Sequence, residues 1–485
     1  MPLTLKKPPH LRRDALASLV VFLVALPLCV GVAVASGVPA ELGLITGIVG
    51  GLVVGFLPGS SLQVSGPAAG LTVLVFEAVQ EFGLGTLGPI VLASGLIQLL
   101  LGAFRFGRFF RAITVAVVQG MLAGIGLVLI FGQLYTMADV KQPRSGFDKI
   151  TGLPGLAVEI ARSGPALTAF AIGAGTIAVL VLWKKLPARV QAVPAPLAAV
   201  ALATAVTAAA GWSVPRVDVQ GLVSAIQPPG MSDFAALGSL AVLGTVIAFA
   251  LIASAESLFS AAAVDRMHDG PRTDFDKELM AQGAGNAVCG VFGALPLTAV
   301  IVRSAANVQA GARTKLSRIL HGLWLVLFAA LLPAAIGVIP LAALAGVLVH
   351  AGCKLIPVKD LPPLWRSHRG EVVVLAATAI AIITTSMFEG VLLGIALAVV
   401  KSAWETSHVQ LNVHETTDGR FLVTLTGSAT FLRLPHMLET LEGLPADHPV
   451  ELDLSELRHL DHACRITLEN WAQQRGATIG ALART

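Results

Sequence analysis

Glu256 and Arg303 are the two ionisable residues of this 485-residue chain whose placement within apolar sequence most needs an explanation. Beside them run two stretches, Leu62-Gln-Val-Ser-Gly-Pro-Ala-Ala-Gly70 and Leu295-Pro-Leu-Thr-Ala-Val-Ile-Val-Arg303, each reading as a short extended segment that enters a helix. Pro67 and Thr298 stand close to those helix starts. The first turn of a helix leaves backbone N–H groups unsatisfied and carries the positive end of the helix dipole. Two such starts, pointing at one another from equivalent halves of a membrane protein, make an anion site with almost no side-chain chemistry.

The elements that must hold these residues are membrane spans. Only 13% of residues are charged and 55% are hydrophobic, with a mean hydropathy of +0.80, more than a soluble domain of this length needs for its core. Fourteen spans are predicted, at 14–36, 40–57, 67–82, 84–104, 112–135, 165–183, 190–210, 234–264, 278–296, 298–310, 316–337, 340–353, 371–386 and 388–404. The third and tenth are too short to cross as helix, so their non-helical remainder must line a protein cavity. With the N-terminus inside, the external segments hold Lys141, Arg144, Lys149, Arg162 and Arg216. The cytoplasmic segments hold the other basic residues up to Lys401 apart from the embedded Arg303, among them Lys6, Lys7, Arg111, Arg318 and Lys354, which supports this orientation. The basic loops are read as topology determinants, so the pI near 9.0 calls for no nucleic-acid partner. The first helix is expected to remain as an anchor, because no cleavage site follows it.

Composition changes after Trp404. From about His408 the chain reads as a soluble α/β module, with strands at Val409–Val413, Phe421–Leu425, Val450–Leu454 and Thr478–Leu482 and helices at Leu432–Leu441 and His462–Gln474. Cys29, Cys289, Cys353 and Cys464 are too scattered for a metal knuckle or disulfide framework, and the module's histidines lack ligand spacing. Nothing offers a nucleophile, base and oxyanion site, so an enzyme is the least favoured class. Asn286, Gln282, Asn307 and Gln119 are read as satisfying backbone or neighbouring helices. Glu41, Glu77, Glu81 and Glu389 fall near helix ends, and Gln63 faces either the pocket or the backbone.

Ala25-Leu-Pro27, Ser65-Gly-Pro67, Glu256-Ser-Leu-Phe-Ser260, Arg303-Ser-Ala-Ala-Asn307 and Gly311-Ala-Arg-Thr-Lys-Leu-Ser317, in this order and followed by the α/β module, resemble the SulP family, also called solute carrier family twenty-six. The similarity covers essentially the whole chain. It implies an α-helical polytopic membrane protein with fourteen spans in two inverted seven-span repeats. These sort into a core bundle (spans 1–4 and 8–11) and a gate bundle (5–7 and 12–14) across residues 1–405, with a short cytoplasmic domain similar to STAS at 406–485. Within the sequence, Pro27 and Glu256 are separated by nearly the same interval as Pro67 and Thr298, as such a repeat requires. The phosphorylatable Ser of soluble STAS relatives is absent from Asp461-His-Ala-Cys464.

Carried over residue by residue, the resemblance implies an anion pocket bounded by Leu28, Cys29 and Val32, by Gly66 and Ala68, and by Ala299, Val300 and Ile301. It also brings Glu256 close to Arg303. Glu256 then becomes the coupling site, with Ser260 beside it, and Arg303 adjusts its protonation and adds positive potential; a pair that merely pins two helices is the structural alternative. Sodium-coupled relatives carry Asp and Thr at the positions of Glu256 and Ser260, so proton symport is the reading favoured over sodium. The expected function is secondary active transport of a small inorganic or organic anion, whether a dicarboxylate such as fumarate, bicarbonate or sulfate. The alternatives are sodium-coupled symport, or an exchanger or channel of the same fold; a membrane-tethered sensor predicts no flux. No cofactor or metal is expected. The implied setting is the inner membrane, as a homodimer with both termini cytoplasmic.

Overall fold

The computed structural model describes residues 10–108, 114–191, 193–416 and 418–480; Lys6, Lys7, Arg111, the first two residues of the fifth predicted span and Leu482 lie outside them. Two compact units divide the chain, Met1–Gly394 and Ile395–Thr485.

In the first unit the membrane helices are α1 (Leu11–Ala35), α2 (Ala40–Val49), α3 (Thr72–Phe82), α4 (Leu84–Ala103) and α5 (Val115–Met137). Two short helices follow, α6 (Gly146–Thr151) and α7 (Leu153–Arg162), before α8 (Gly164–Leu182) and α9 (Ala195–Ala209). The second half repeats the pattern with α10 (Leu240–Asp265), α11 (Phe275–Val291), α12 (Ile301–Gln309), α13 (Leu316–Leu331), α14 (Leu341–Leu355), α15 (Arg369–Thr384) and α16 (Met387–Thr406), the last of which runs into the second unit. The predicted third and tenth spans begin as helix later than expected. Residues Ser65–Pro67 form a strand, β1, and Leu297–Ala299 form β2, and the two pair antiparallel with Gly66 opposite Thr298.

All six strand residues are buried. Extended backbone is tolerated at membrane depth only where its polar groups find partners in the protein, and here α10, α11 and α12 supply them. Asn286 Oδ1 accepts from Leu297 N at 2.7 Å while its Nδ2 donates to Leu297 O at 3.1 Å and to Gln98 Oε1 at 2.7 Å. Ser257 Oγ accepts from Ala299 N, and Ser304 Oγ accepts from Val64 N. Asn307 donates to Leu62 O and Gln63 to Ser257 O, so Gln63 serves the backbone.

Around this two-stranded element pack α1 to α4 and α10 to α13, with α4 against α11 and α1 against α13. A second group has α5 against α14 and α15, and α8 against α9 and α14. Small residues make the close seam between α4 and α11: a Cβ on Gly283 would meet the Gly95 carbonyl at 2.7 Å.

Three charged residues sit deeper than the sequence reading placed them. Arg318, counted among the cytoplasmic basic residues, is 2% exposed and donates to the carbonyls of Gly55, Leu57 and Gln63, tying down the chain that enters β1. Glu41 is buried and accepts from the amides of Gln220 and Gly221. Lys149, expected as an external loop charge, is 3% exposed.

The second unit carries β3 (Val409–Glu415), β4 (Phe421–Ala429), α17 (Leu434–Glu442), β5 (Val450–Asp453), β6 (Leu457–Leu460), α18 (His462–Arg475) and β7 (Thr478–Ile479). The sheet runs β3-β4-β5-β7, with β6 added to β4. Strand β6 escaped the sequence reading because Leu457-Arg-His-Leu460 has no apolar alternation. Asp461 caps α18 by accepting from Cys464 N at 2.7 Å, and its other oxygen accepts from Phe431 N. Burial raises its carboxyl, but these amides outweigh that and hold it below the usual range.

Replacing Asn286 by Leu strands both polar groups of Leu297 at membrane depth. The expected result is a loss of about 2 kcal/mol or more, seen as a lowered thermal midpoint of the detergent-purified protein.

Candidate anion-binding site

After β1, Ala68 stays extended and a 3-10 turn at Ala69–Leu71 leads into α3; after β2, Val300 is the N-cap of α12. None of the three turns has a side-chain cap. The first backbone returns are Leu71 N to Ala68 O and Ser304 N to Val300 O, so the preceding N–H groups stay available to a ligand.

Both helix starts open on one cavity of about 210 Å³. Its walls are Leu28 and Val32 of α1, Pro67, Ala69 and Gly70 after β1, Glu256, Phe259 and Ser260 of α10, and Val300–Arg303 of α12. Val118, Met121 and Leu122 of α5 and Ala351, Lys354 and Leu355 of α14 close the other side. These α5 residues lie at its first turns and the α14 residues at its last. The cavity therefore leads toward the membrane face that carries Lys354. A second cavity of the same size, between α8 and α9, is lined almost wholly by apolar side chains and offers an anion no comparable donors.

Of the residues expected to bound the pocket, Leu28, Val32, Val300 and Ile301 line the cavity, as do Glu256, Ser260 and Arg303. Cys29, Gly66, Ala68 and Ala299 lie in the packed layer behind it, with Cys29 and Ala299 fully buried. After β1 alternation explains the split: along an extended segment neighbouring residues face opposite ways, so Pro67 and Ala69 look into the cavity and Gly66 and Ala68 look away.

Arg303 is 1% exposed, and its Nη2 donates to Pro67 O at 3.1 Å, bridging from α12 to the opposite strand. Nε and Nη1 have no partner. A Cβ on Gly66 would collide with Nη1, so glycine is what lets the guanidinium lie against β1.

Glu256 does not pair with Arg303. No ion pair joins them among the described residues; the Glu256 carboxyl packs against Gly70 and interacts with the Thr298 hydroxyl. Its Oε2 has no hydrogen-bond partner. Arg303 is held by Pro67 of β1 and Glu256 by Thr298 of β2, and the two face the cavity from different walls. The expectation of a contact pair is corrected accordingly.

Sequence reasoning missed His321 on α13, which is fully buried, has neither ring nitrogen partnered, and faces Arg303. A histidine amid Leu316–Leu331 was the available signal. Among the described residues no group of three or more His, Cys, Asp or Glu is placed to hold a metal ion.

Two uncapped helix starts that meet at mid-membrane, beside a buried guanidinium and an unpaired carboxyl, define a membrane anion transporter built on an inverted repeat. The model of the Sulfate permease family matches residues 11–378, and the chain belongs to that family. Among relatives, the Bacillus subtilis protein YvdB, a sulfate transporter by its given name, is 27% identical over 395 residues, covering 80% of this chain and 73% of that protein. The bicarbonate transporter BicA of Picosynechococcus is 23% identical over 523 residues, covering 95% of this chain and 86% of its own. The murine Slc26a9 anion transporter in the inward-facing state superposes with a TM-score of 0.78 at 17% identity, over 98% of this chain and 86% of that one. At that identity the likeness is one of fold. It extends through the C-terminal sheet, which is consistent with a STAS domain.

The division between cavity wall and packed layer gives a paired test. Val300→Phe should cut anion uptake at least about tenfold, equivalent to ~1.4 kcal/mol, and leave the thermal midpoint unchanged. Ala68→Phe overpacks the layer behind and should cost about 1–3 kcal/mol of stability. Equal thermal shifts in the two variants would count against this placement.

Proposed function

We propose that the protein is a proton-coupled symporter of a small carboxylate or oxyanion, working by alternating access. The observation that carries this reading is the unpaired Glu256 carboxyl on the wall of a cavity whose other charged groups and backbone donors are positive: the uncapped N–H groups of α3 and α12, the free nitrogens of Arg303, and Lys354. An ionised Glu256 repels an anion at the helix starts. Protonation removes that repulsion, so anion and proton each favour binding of the other, and the linkage is reciprocal. Arg303 need not contact Glu256 for this; it attracts the anion while the glutamate sets the proton requirement.

In this reading the hairpin and α1–α4 with α10–α13 form the core, and α5, α8, α9 and α14–α16 form the gate. The cavity mouth at Lys354 is then cytoplasmic, the termini are cytoplasmic in an inner membrane, and the protein is a homodimer. The apolar walls make backbone N–H groups and pocket size the selectors. That arrangement suits carboxylate-bearing anions, and the sulfate and bicarbonate of the relatives' names fit the same donors. Sodium is the second reading. It needs several oxygens at short range, and Ser260 and Thr298 are the hydroxyls near Glu256 that would supply them.

Proteoliposomes loaded with candidate anions decide between these. Wild type should concentrate its substrate under an inward proton gradient, acidify the lumen as it does so, and ignore a sodium gradient. Glu256→Gln should keep substrate exchange and lose accumulation, because the neutral amide removes the repulsion permanently. Accumulation by Glu256→Gln, or a sodium requirement in wild type, defeats the coupling assignment.

A further inference from the structure

On the membrane face opposite the cavity mouth, the buried Lys149 is carried by α6 onto α3, the helix that starts at the anion site. Its ammonium lies 4.8 Å from the centre of the Phe76 ring. Three contacts fix the segment that brings it there. Ser145 caps α6 by accepting from Asp148 N at 3.0 Å, Tyr135 Oη of α5 donates to Lys149 O at 2.9 Å, and Gln142 donates to Ala35 O at the end of α1 at 3.5 Å. Gly132 of α5 leaves the room, since a Cβ there would run into Gln142, with Lys149 in contact beside it.

The counter-charge facing Lys149 is Glu77 of α3, acting through space without a direct ion pair. The Met387 amide at the start of α16 also donates toward Glu77, and Glu81 and Glu389 stand beside it around a cavity of about 170 Å³. A core helix is thus gripped at one carboxylate from two elements of the other bundle.

We propose that Glu77 is the gating residue of this face: its carboxylate compensates the buried Lys149 charge so that the α5–α6 segment closes over α3, and the face opens when the compensation is withdrawn. This goes beyond the transport reading and uses it only in requiring that the face open.

The charge on Lys149 opposes closure and Glu77 offsets it. Burial pushes the ammonium down to about 8 although Glu77 pulls it upward. An open face returns Lys149 to water and its ordinary value of 10.5. Protons therefore bind the open form more tightly, and raising pH through about 8 favours the closed form. Of the titratable groups, Glu77 of α3 acts on Lys149 itself, Glu81 of α3 and Glu389 of α16 act on Glu77, and Tyr135 of α5 holds the Lys149 carbonyl.

The test reads the face directly. Val128 of α5 is 2% exposed, and a Cβ on Gly146 at the start of α6 would touch it at 3.2 Å, so a thiol there reports lifting of the segment. Purified full-length protein carrying Val128→Cys, with the exposed Cys353 changed to Ser, is placed in nanodiscs and reacted with a maleimide; rates are taken relative to free cysteine. Glu77→Gln leaves a buried ammonium uncompensated and should raise the relative rate about tenfold. Adding Lys149→Met removes the charge and should return it to the starting value, a rescue that general loosening would not show. An unchanged rate in Glu77→Gln, or no rescue by Lys149→Met, overturns the proposal. Should Glu77→Gln fail to fold, the same thiol in otherwise wild-type protein decides: its relative rate should fall as pH rises through about 8, and a flat or rising ratio overturns the proposal. Anion uptake is not the readout, so failure here is separable from failure of the Glu256 assignment.

Discussion

Backbone polarity at membrane depth is the constraint on which this structure depends. Six residues of extended chain sit where no water reaches, and each N–H or C=O left unpaired there costs far more than at a surface. The sequence meets the constraint with polar side chains aimed at particular backbone atoms: Asn286 on Leu297, Ser257 on Ala299, Ser304 on Val64, Asn307 on Leu62 and Arg318 on the carbonyls before β1. What is left unsatisfied is the first turn of each helix that follows. The proposed anion site is the remainder of that satisfaction, and its chemistry belongs to the backbone.

This accounts for the distribution of charge around the hairpin. A buried ion pair between Glu256 and Arg303 would cancel the field that an anion needs and would tie up the donors of the guanidinium. Instead Arg303 spends one nitrogen on Pro67 O, leaving two unpartnered. Gly66 and Gly70 are the positions where side chains would displace Arg303 and Glu256 respectively. Two glycines therefore keep two charges apart and in place within a packed layer.

The fourteen spans were legible because apolar runs of membrane length admit few alternatives, and the extended entries at Pro67 and Thr298 were legible because each run was too short to cross. Strand pairing was not, since no periodicity in Ser65–Pro67 or Leu297–Ala299 reports a partner more than two hundred residues away. Side-chain direction was lost for the same reason: alignment places Glu256 and Arg303 in one neighbourhood but does not say which strand each touches, and it put Ala68 on the cavity wall when the extended chain turns it behind. Counting basic residues gave a consistent orientation, yet it treated Arg318 and Lys149 as loop charges. Depth depends on what a loop folds against, which composition does not carry.

The hairpin also links the site to the rest of the molecule mechanically. β1 leads through one 3-10 turn into α3, an eleven-residue helix about 16 Å long at 1.5 Å per residue. One end of that helix presents N–H groups to the cavity. Its middle holds Phe76 and Glu77 under Lys149. A shift of the hairpin moves both together, because the strands are cross-linked by Arg303 and locked by their own ladder. Displacing β1 while α3 stays seated would break bonds that no neighbouring water can replace. In the proposed mechanism, occupancy of the anion site and closure of the far face are therefore joined through one rigid element, which is what alternating access requires of a site placed between them.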